Sequence, residues 1–177
     1  MTADDFESEL DIVAYHEAGH AVMAIACGFR LTELSINPSD VGRGFVGYVT
    51  GAALEGEIAQ KAALVSVSGL VADMLLSQQS GKARPNDEFL GHFNDQENAH
   101  RYIRLCGQRG SIDDYMVLSM LFLRENWSHV SRFAEMLKVF PTMNPGALNL
   151  EIFPKLPEDW RRRLDSVVAQ SDAGMGP

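Results

Sequence analysis

The sequence contains few cysteines and no long uninterrupted apolar run. Its 177 residues include two cysteines, Cys27 and Cys106, which are too few for a disulfide framework and lack the C-x-x-C spacing of a metal site. We interpret both as buried free thiols. The longest apolar stretches, around residues 21–29 and 115–123, are shorter than the roughly 18 to 20 residues of a membrane span. The sequence therefore predicts no membrane span.

Positive charge is also scarce. The chain has 15 Lys and Arg against 24 Asp and Glu, a net charge of −9 at pH 7 and a pI near 4.9. This balance disfavours non-specific binding to nucleic acid and attraction to anionic lipid. The first residues, Met1 to Asp5, carry acids where a secretory signal would carry Lys or Arg. We expect a cytoplasmic protein with no nucleic-acid partner.

The pattern of apolar residues predicts a mainly α (α+β) fold, with one domain over residues 1–170 and a disordered tail over 171–177. Apolar residues make up 46% of the chain, an ordinary content for a globular domain. A small β-sheet should follow the first helix. Helices are predicted over residues 4–27, 55–79 and 94–106, from 111 to a point before 141, and from 157 to about 170; strands are predicted over 31–37 and 45–50.

Local signals support several of these boundaries. Gly28 stands where a helix C-cap is expected, and Ser111 with Asp114 resembles a capping box at the start of a long helix. In the first strand, the period of two places Thr32, Leu34 and Ile36 on one face. The helix over residues 55–79 is apolar on most sides, which predicts a buried helix in the middle of the domain.

The segment His16-Glu17-Ala18-Gly19-His20 carries the clearest chemical signal. His16 and His20 are four residues apart, and this offset brings both rings to one face of a helix, within reach of a single ion. Neutral imidazole suits Zn²⁺, and the pattern H-E-x-x-H on a helix is typical of zinc peptidases. The sequence therefore predicts one zinc ion per chain, held by these two histidines.

Glu17 is the predicted general base. It follows the first histidine directly, so its carboxylate can reach a water molecule on the metal without coordinating the metal itself. Zinc lowers the pKa of such a water towards roughly 7, and a carboxylate can take its proton and later pass it to a departing amine. Small residues surround the motif, which we interpret as space for a metal and substrate; they are Ala14, Ala18, Gly19, Ala21 and Ala24.

The motif alone does not identify the third protein ligand that catalytic zinc requires. The metzincin pattern needs a glycine and a third histidine close behind the motif, but Met23 and Ala26 occupy those positions. The ligand must therefore come from farther along the chain. Four carboxylates are candidates on physical grounds, and physics alone does not choose among them: Asp73, Asp87, Glu88 and Asp95.

Four ordered blocks of the sequence resemble the peptidase domain of the FtsH-type ATP-dependent zinc metalloproteases. Residues 14–22 contain that family's characteristic H-E-A-G-H-A. Residues 34–48 resemble its strand pair, and residues 68–75 are similar to its helix A-G-R-A-A-E-E-L, although Leu70 replaces the usual arginine and Met74 an acid. Residues 94–99 match its N-D-x-x-x-A block. The resemblance covers roughly residues 11 to 105.

The resemblance implies a mostly helical zinc peptidase in which Asp95 joins His16 and His20 as the third ligand. It also implies that the second strand is the edge to which an extended polypeptide substrate adds by main-chain hydrogen bonds. The predicted substrate-binding residues of that strand are Gly44, Phe45, Val46, Gly47 and Tyr48. We prefer Asp95 to Asp73 because a carboxylate in a buried apolar helix is costly unless it is paired.

One feature separates this chain from FtsH-type enzymes, which carry a membrane anchor and an ATPase module before the peptidase. The chain starts about fifteen residues ahead of His16 and contains no G-x-x-x-x-G-K-[ST] phosphate loop. We therefore expect an ATP-independent endopeptidase that cuts unfolded or small protein substrates. The sequence leaves open a separate ATPase or unfoldase partner, a homo-oligomer, and the alternative of a catalytically idle zinc-containing binding or regulatory module.

Overall fold

A computed structural model describes residues 9–37, 44–80, 90–145 and 152–174 of the chain. Within these residues the fold is mainly α with a small antiparallel sheet, as predicted. The elements in chain order are α1 (Glu9–Ala26), β1 (Arg30–Ser35), β2 (Phe45–Val49), α2 (Gly56–Ser80), α3 (Leu90–Leu105), α4 (Ile112–Glu125), α5 (Trp127–Val139), β3 (Thr142–Met143) and α6 (Trp160–Gly174).

The helix α2 forms the centre of the core and packs against α1, α3 and α4. It was predicted over residues 55–79 and is buried along most of its length. By length and composition α2 could cross a membrane. Counting only uninterrupted apolar runs in the sequence therefore underestimates how apolar this helix is. Because 78% of its most apolar window is buried inside the fold, a core helix accounts for that composition equally well. The absence of a membrane span stays a prediction.

The helix α1 ends where the sequence places its cap. Gly28 has a φ of 79°, a left-handed conformation that glycine adopts without a steric penalty. Its amide donates to the Ile25 carbonyl at 2.9 Å, and the Phe29 amide donates to the Ala24 carbonyl at 2.9 Å. The chain then turns directly into β1. The predicted start of this helix at Asp4 lies outside the described residues.

The sheet has the strand order β2-β1-β3, so β1 is central and β2 is an edge strand. Both pairs are antiparallel, and β1 carries a bulge between Leu31 and Glu33. The bulge makes the predicted face wrong for Thr32, which is exposed while Leu31 and Leu34 are buried. A Cβ at Gly47, on the neighbouring strand, would lie 2.6 Å from the Thr32 hydroxyl oxygen. Glycine at position 47 therefore leaves room for the side chain of Thr32 at the bulge.

The two residues of β3 were not predicted as a strand. They follow Pro141 directly and are too short to show a period in the sequence. Leu34 pairs with Met143 and Ser35 with Thr142, and the two hydroxyl oxygens of that second pair lie 3.1 Å apart. This strand joins the end of α5 to β1.

The prediction of one long helix after Ser111 is wrong, because Asn126 divides it into α4 and α5. Asn126 has φ −114° and ψ 22°, and its side-chain amide donates to the Phe122 carbonyl at 2.8 Å. Such side-chain bonds to the backbone compete with regular helix. The capping box at the start of α4 is confirmed: the Ser111 amide donates to Asp114 at 2.7 Å, and the Asp114 amide donates to the Ser111 hydroxyl at 3.3 Å.

Three other helix boundaries differ from the predictions by three residues or more, and one is the start of α6, which lies at Trp160 and not at residue 157. The helix α3 begins at Leu90, four residues before the predicted start, and this places Asp95 in its second turn. The helix α6 continues to Gly174, so the disordered tail predicted over residues 171–177 is wrong for its first four residues. The Ser171 hydroxyl donates to Asp114 at 2.6 Å and so ties this end of α6 to the start of α4.

Candidate metal centre

His16 and His20 lie on one face of α1, as their four-residue spacing predicts. Their Nε2 atoms are 3.1 Å apart, and both side chains are buried. The two rings meet edge to face, with centroids 4.8 Å apart. Because the Nε2 atoms converge from adjacent turns of one helix, both are available to a single ion.

Asp95 completes a group of three metal-binding side chains. Its Oδ2 atom lies 3.0 Å from Nε2 of His16 and 3.1 Å from Nε2 of His20. Asp95 is on α3, and its side chain is 20% exposed, so the site is buried on the histidine side and more open on the aspartate side. The structure thus brings together the three residues that were predicted as ligands, and this group could hold a metal ion.

Hydrogen bonds on the far side of each imidazole fix which nitrogen faces the centre. Nδ1 of His20 lies 2.7 Å from the Val65 carbonyl oxygen, which can only accept, so Nδ1 carries the proton. Nδ1 of His16 lies 2.7 Å from Oδ2 of Asp73 and donates to that carboxylate. In the neutral rings, both Nε2 atoms therefore direct lone pairs at the same point as the Asp95 carboxylate.

Three converging acceptors favour a cation between them. Burial alone lowers the pKa of His16, but the carboxylates of Asp73 and Asp95 outweigh it and hold that pKa well above the ordinary value. Burial likewise lowers the pKa of His20, and the Asp95 charge outweighs it. For Asp95, burial raises the pKa, while the two histidines hold it below its usual range. The same negative potential that favours a proton here favours a metal cation.

The geometry fits a small tetrahedral cation. The ligand atoms form a nearly equilateral triangle with edges of 3.0 to 3.1 Å. In a tetrahedral zinc site with bonds of about 2.0 to 2.1 Å, ligand atoms lie about 3.3 Å apart, so a small adjustment would suffice. The set of two imidazoles and one carboxylate is also a donor set that zinc uses in catalytic sites.

Gly69 on α2 gives the two imidazoles their space. A Cβ at this position would lie 2.6 Å from Nε2 of His16 and would collide with Nε2 of His20. Since no side chain fits there, only glycine lets α2 pass directly beneath the two nitrogens that face the centre. No pattern in the sequence identifies this role of Gly69.

Asp73 is close to the candidate metal centre but is not one of the three side chains that converge on it. Its carboxylate is only 1% exposed and contacts the outer nitrogen of His16, not the point where the three ligand atoms meet. A carboxylate inside an apolar helix needs a partner, and this requirement was the one signal in the sequence for its role. Two other candidate ligands, Asp87 and Glu88, lie outside the described residues.

Glu17 is buried beside the metal ligands and faces the start of β2. A Cβ on Gly44 would lie 2.6 Å from Cγ and 2.7 Å from Cδ of Glu17, so the strand backbone passes directly over this side chain. Burial raises the pKa of Glu17, although the neighbouring histidines act in the opposite direction. Glu17 is not one of the three residues that converge on the centre, which agrees with its predicted separation from the metal.

The small residues around the motif have a different purpose from the one predicted. Ala14, Ala18, Ala21 and Ala24 are fully buried in the core, so they provide close helix packing and no open space. A Cβ on Gly19 would lie 2.6 Å from both the Ala72 Cβ and the Ser68 carbonyl oxygen. The close contact between α1 and α2 therefore leaves no room for a side chain at Gly19.

The predicted substrate-binding residues lie in the edge strand β2 and directly before it. Gly44 precedes β2, and the other four form most of the strand. On its outer side β2 pairs with no other strand among the described residues. Its outward backbone groups are therefore available to a further strand.

Comparisons with known proteins do not identify this chain. No protein-family model matches it, and a search of curated proteins finds no match. The resemblance to the FtsH-type peptidase domain therefore stays a prediction from the sequence blocks. The arrangement of the side chains is the remaining evidence on function.

Proposed function

We propose that this chain is a zinc-dependent peptidase that hydrolyses peptide bonds in extended segments of polypeptide. His16, His20 and Asp95 hold the Zn²⁺, and Glu17 is the general base. The convergence of two imidazole nitrogens and one carboxylate oxygen within 3.1 Å of one another carries the proposal. A cation stabilises such a group of acceptors, and its donor types match catalytic zinc.

The hydrogen bonds outside the ligands support a site that is built for a metal. Asp73 and the Val65 carbonyl each hold one imidazole by Nδ1, which fixes the ring orientation and increases the electron density at Nε2. Both partners lie on α2, so the orientation of the ligands is set by the buried helix at the centre of the fold.

When bound, the zinc ion would act as a Lewis acid that polarises the scissile carbonyl and acidifies water. Glu17 removes the proton from the attacking water and passes it to the departing amine, which converts the amine into a good leaving group. The position of Glu17 beneath Gly44 puts this proton transfer at the beginning of β2. The burial of Glu17 excludes bulk water from its carboxylate.

The strand β2 would hold the substrate. An extended peptide that pairs with its outer edge donates and accepts main-chain hydrogen bonds, so binding depends little on side-chain sequence. The segment at residues 44–48 would then direct the scissile bond past Glu17. These roles agree with what the resemblance to FtsH-type peptidases implies, and we propose membership of that fold family on the same grounds.

Glu17 separates the proposed enzyme from a zinc-containing binding module without catalytic activity. A purely structural metal site would need the three ligands but would not need a carboxylate beside them. The experiment is metal analysis combined with digestion of casein by purified protein, with Glu17→Gln as the matched control. We expect about one zinc per chain in both proteins and a loss of cleavage of at least about a hundredfold in the variant, the scale of a missing general base.

Three results would contradict the proposal. Equal cleavage by the parent and the Glu17→Gln variant would show that Glu17 is not the base. Zinc-loaded parent protein that cleaves neither casein nor short unfolded peptides would favour the binding module. Purified His16→Ala protein with full zinc occupancy would remove the proposed metal site itself.

A further inference from the structure

The two faces of β2 differ, and the difference bears on which substrates the strand would accept. Val46 and Tyr48 point inward and pack against the core, and the Tyr48 ring stacks on Phe29 with centroids 5.3 Å apart. The Cα–Cβ direction of Gly44 also points inward, at Glu17. Because side chains alternate along a strand, the inner face of β2 is the face of the catalytic site.

The outer face of β2 is apolar and exposed. Phe45 is 47% exposed and Val49 is 40% exposed, and Gly47 lies between them on the same face. A Cβ on Gly47 would lie 3.0 Å from the Phe45 ring, so the ring leans over the glycine along the strand. Gly47 itself is buried, so Phe45 and Val49 are the two exposed apolar side chains of this face.

Among the described residues, this edge lacks the features by which proteins prevent strands from pairing. Edge strands are usually protected by charged side chains, by proline or by a covering element. The five residues of β2, Phe-Val-Gly-Tyr-Val, contain no charge and no proline. The bulge of the sheet lies on β1, the inner partner, and leaves the outer edge of β2 regular. An unprotected edge beside a proposed base fits an extended peptide as its occupant.

We propose that Phe45 and Val49 determine specificity by selecting extended peptide segments with apolar side chains at every second residue. A strand added to β2 places alternate side chains on the two faces, and those on the outer face lie beside Phe45 and Val49 at cross-strand distance. The remaining side chains lie on the face of Glu17. This inference rests on the proposed function, because it assigns side-chain selection to the substrate strand of that site.

The test compares two labelled peptides of identical composition. In one, valine and phenylalanine alternate with serine and threonine; in the other, the same residues are grouped in pairs, so apolar side chains fall on both faces. Binding is measured by fluorescence anisotropy with zinc-loaded Glu17→Gln protein, and cleavage with the parent. We expect the alternating peptide to bind about fivefold more tightly, the scale of two cross-strand apolar contacts.

The variant is the double substitution Phe45→Thr and Val49→Thr, which keeps β-forming residues at two half-exposed positions. Val117→Thr on α4, an equally exposed valine at 46%, is the matched control. Neither change touches the ligands or Glu17, so the double variant should lose the preference through a higher KM with little change in kcat. Thermal melting checks that all three proteins fold alike.

Several outcomes would overturn the inference. Equal affinity of the parent for both peptides, or an unchanged preference in the double variant, would show that these residues select nothing. Self-association of the parent that the double variant abolishes would mean that β2 pairs with a second copy of the chain. If the alternating peptide binds preferentially but neither peptide is cleaved, the selection stands and the proposed peptidase function fails.

Discussion

His20 shows how a backbone group can fix a metal ligand. A carbonyl oxygen cannot donate a hydrogen bond, so the contact of 2.7 Å with Val65 assigns the proton of His20 to Nδ1. His16 obtains the same orientation from a carboxylate, Asp73, and therefore gains a neighbouring negative charge as well. The two ligands are thus equivalent in geometry but different in their electrostatic support.

The different positions of Asp95 and Asp73 predict different losses of metal affinity. Asp95→Ala removes an atom that lies 3.0 and 3.1 Å from the two imidazole nitrogens, so we expect it to lose most of its bound zinc. Asp73→Asn removes a charge that contacts the outer nitrogen of His16 and does not face the metal, and we expect a loss of about 10- to 100-fold in zinc affinity. Competition with a chromophoric zinc chelator measures both.

Asp165→Asn is a suitable control for these two variants. Asp165 is a partly exposed carboxylate on α6 that pairs with Arg109, away from the metal centre. Its substitution should leave zinc affinity unchanged. If Asp95→Ala binds zinc as tightly as the parent while Asp73→Asn does not, the third ligand has been assigned to the wrong aspartate.

At the scale of elements, regular helices with caps were predictable, and their interruptions were not. The caps at Gly28 and Ser111 depend on local chemistry that neighbouring residues supply. The break at Asn126 depends on a side chain that competes for a backbone hydrogen bond, and the bulge at Thr32 depends on a partner strand. The spacing of apolar residues in the sequence indicates neither. The short β3 exists only because β1 lies beside it.

The same distinction applies to the candidate site. The spacing of His16 and His20 fixes their convergence because both lie on one helix. Asp95 is 79 residues away from His16, and physical reasoning from the sequence left it as one of four candidate carboxylates. The resemblance of the N-D-x-x-x-A block favoured it, and the structure brings it to the histidines. The contacts of Gly69 and Gly44 required the packing of three elements and could not be predicted.

Asp114 links α4 with α6 and should make stability depend on pH. Burial raises its pKa, but hydrogen bonds from Ser171 and Ser111 outweigh this and hold it below the ordinary value. A lowered folded-state pKa stabilises the protein above the unfolded value, about 3.9, and this contribution is lost as the pH falls through the folded value. We expect Asp114→Asn to cost about 1 to 2 kcal/mol in the free energy of unfolding at pH 7.

Urea denaturation between pH 7 and pH 2 tests this prediction. The difference between the parent and Asp114→Asn should narrow once the pH falls below about 4, because Asp114 then takes up its proton in the unfolded state before it does so in the folded state. Asp113→Asn, at the exposed neighbouring position in the same helical turn, is the control and should change stability much less. A pH-independent difference for Asp114→Asn would mean that packing, and not the charge, explains its effect.

At the scale of the whole molecule, the candidate site is assembled from three helices and one strand. The ligands come from α1 and α3, their orientation comes from α2, and Gly44, directly before β2, covers Glu17. These elements are brought together only in the folded chain, so metal binding and folding should be coupled. The edge strand β2 is the part of this assembly with which a substrate would pair, and a folded substrate has to unfold before it can do so.

Access to substrate is therefore expected to limit any activity of the isolated chain. Pairing with β2 requires several residues of extended backbone, and a folded substrate provides these only after local or global unfolding, which commonly costs about 5 to 15 kcal/mol. The sequence contains no G-x-x-x-x-G-K-[ST] motif, so we expect the chain not to use ATP for that work. We expect denatured, alkylated protein to be cleaved much faster than the same protein in its native state, with no effect of ATP on either rate.

The measurement uses one stable substrate in both forms, each with and without nucleotide, and the Glu17→Gln protein in parallel to exclude a contaminating protease. Rapid cleavage of the native form, or stimulation of the pure protein by ATP, would show that the substrate reaches Glu17 by a route other than strand pairing at an open edge.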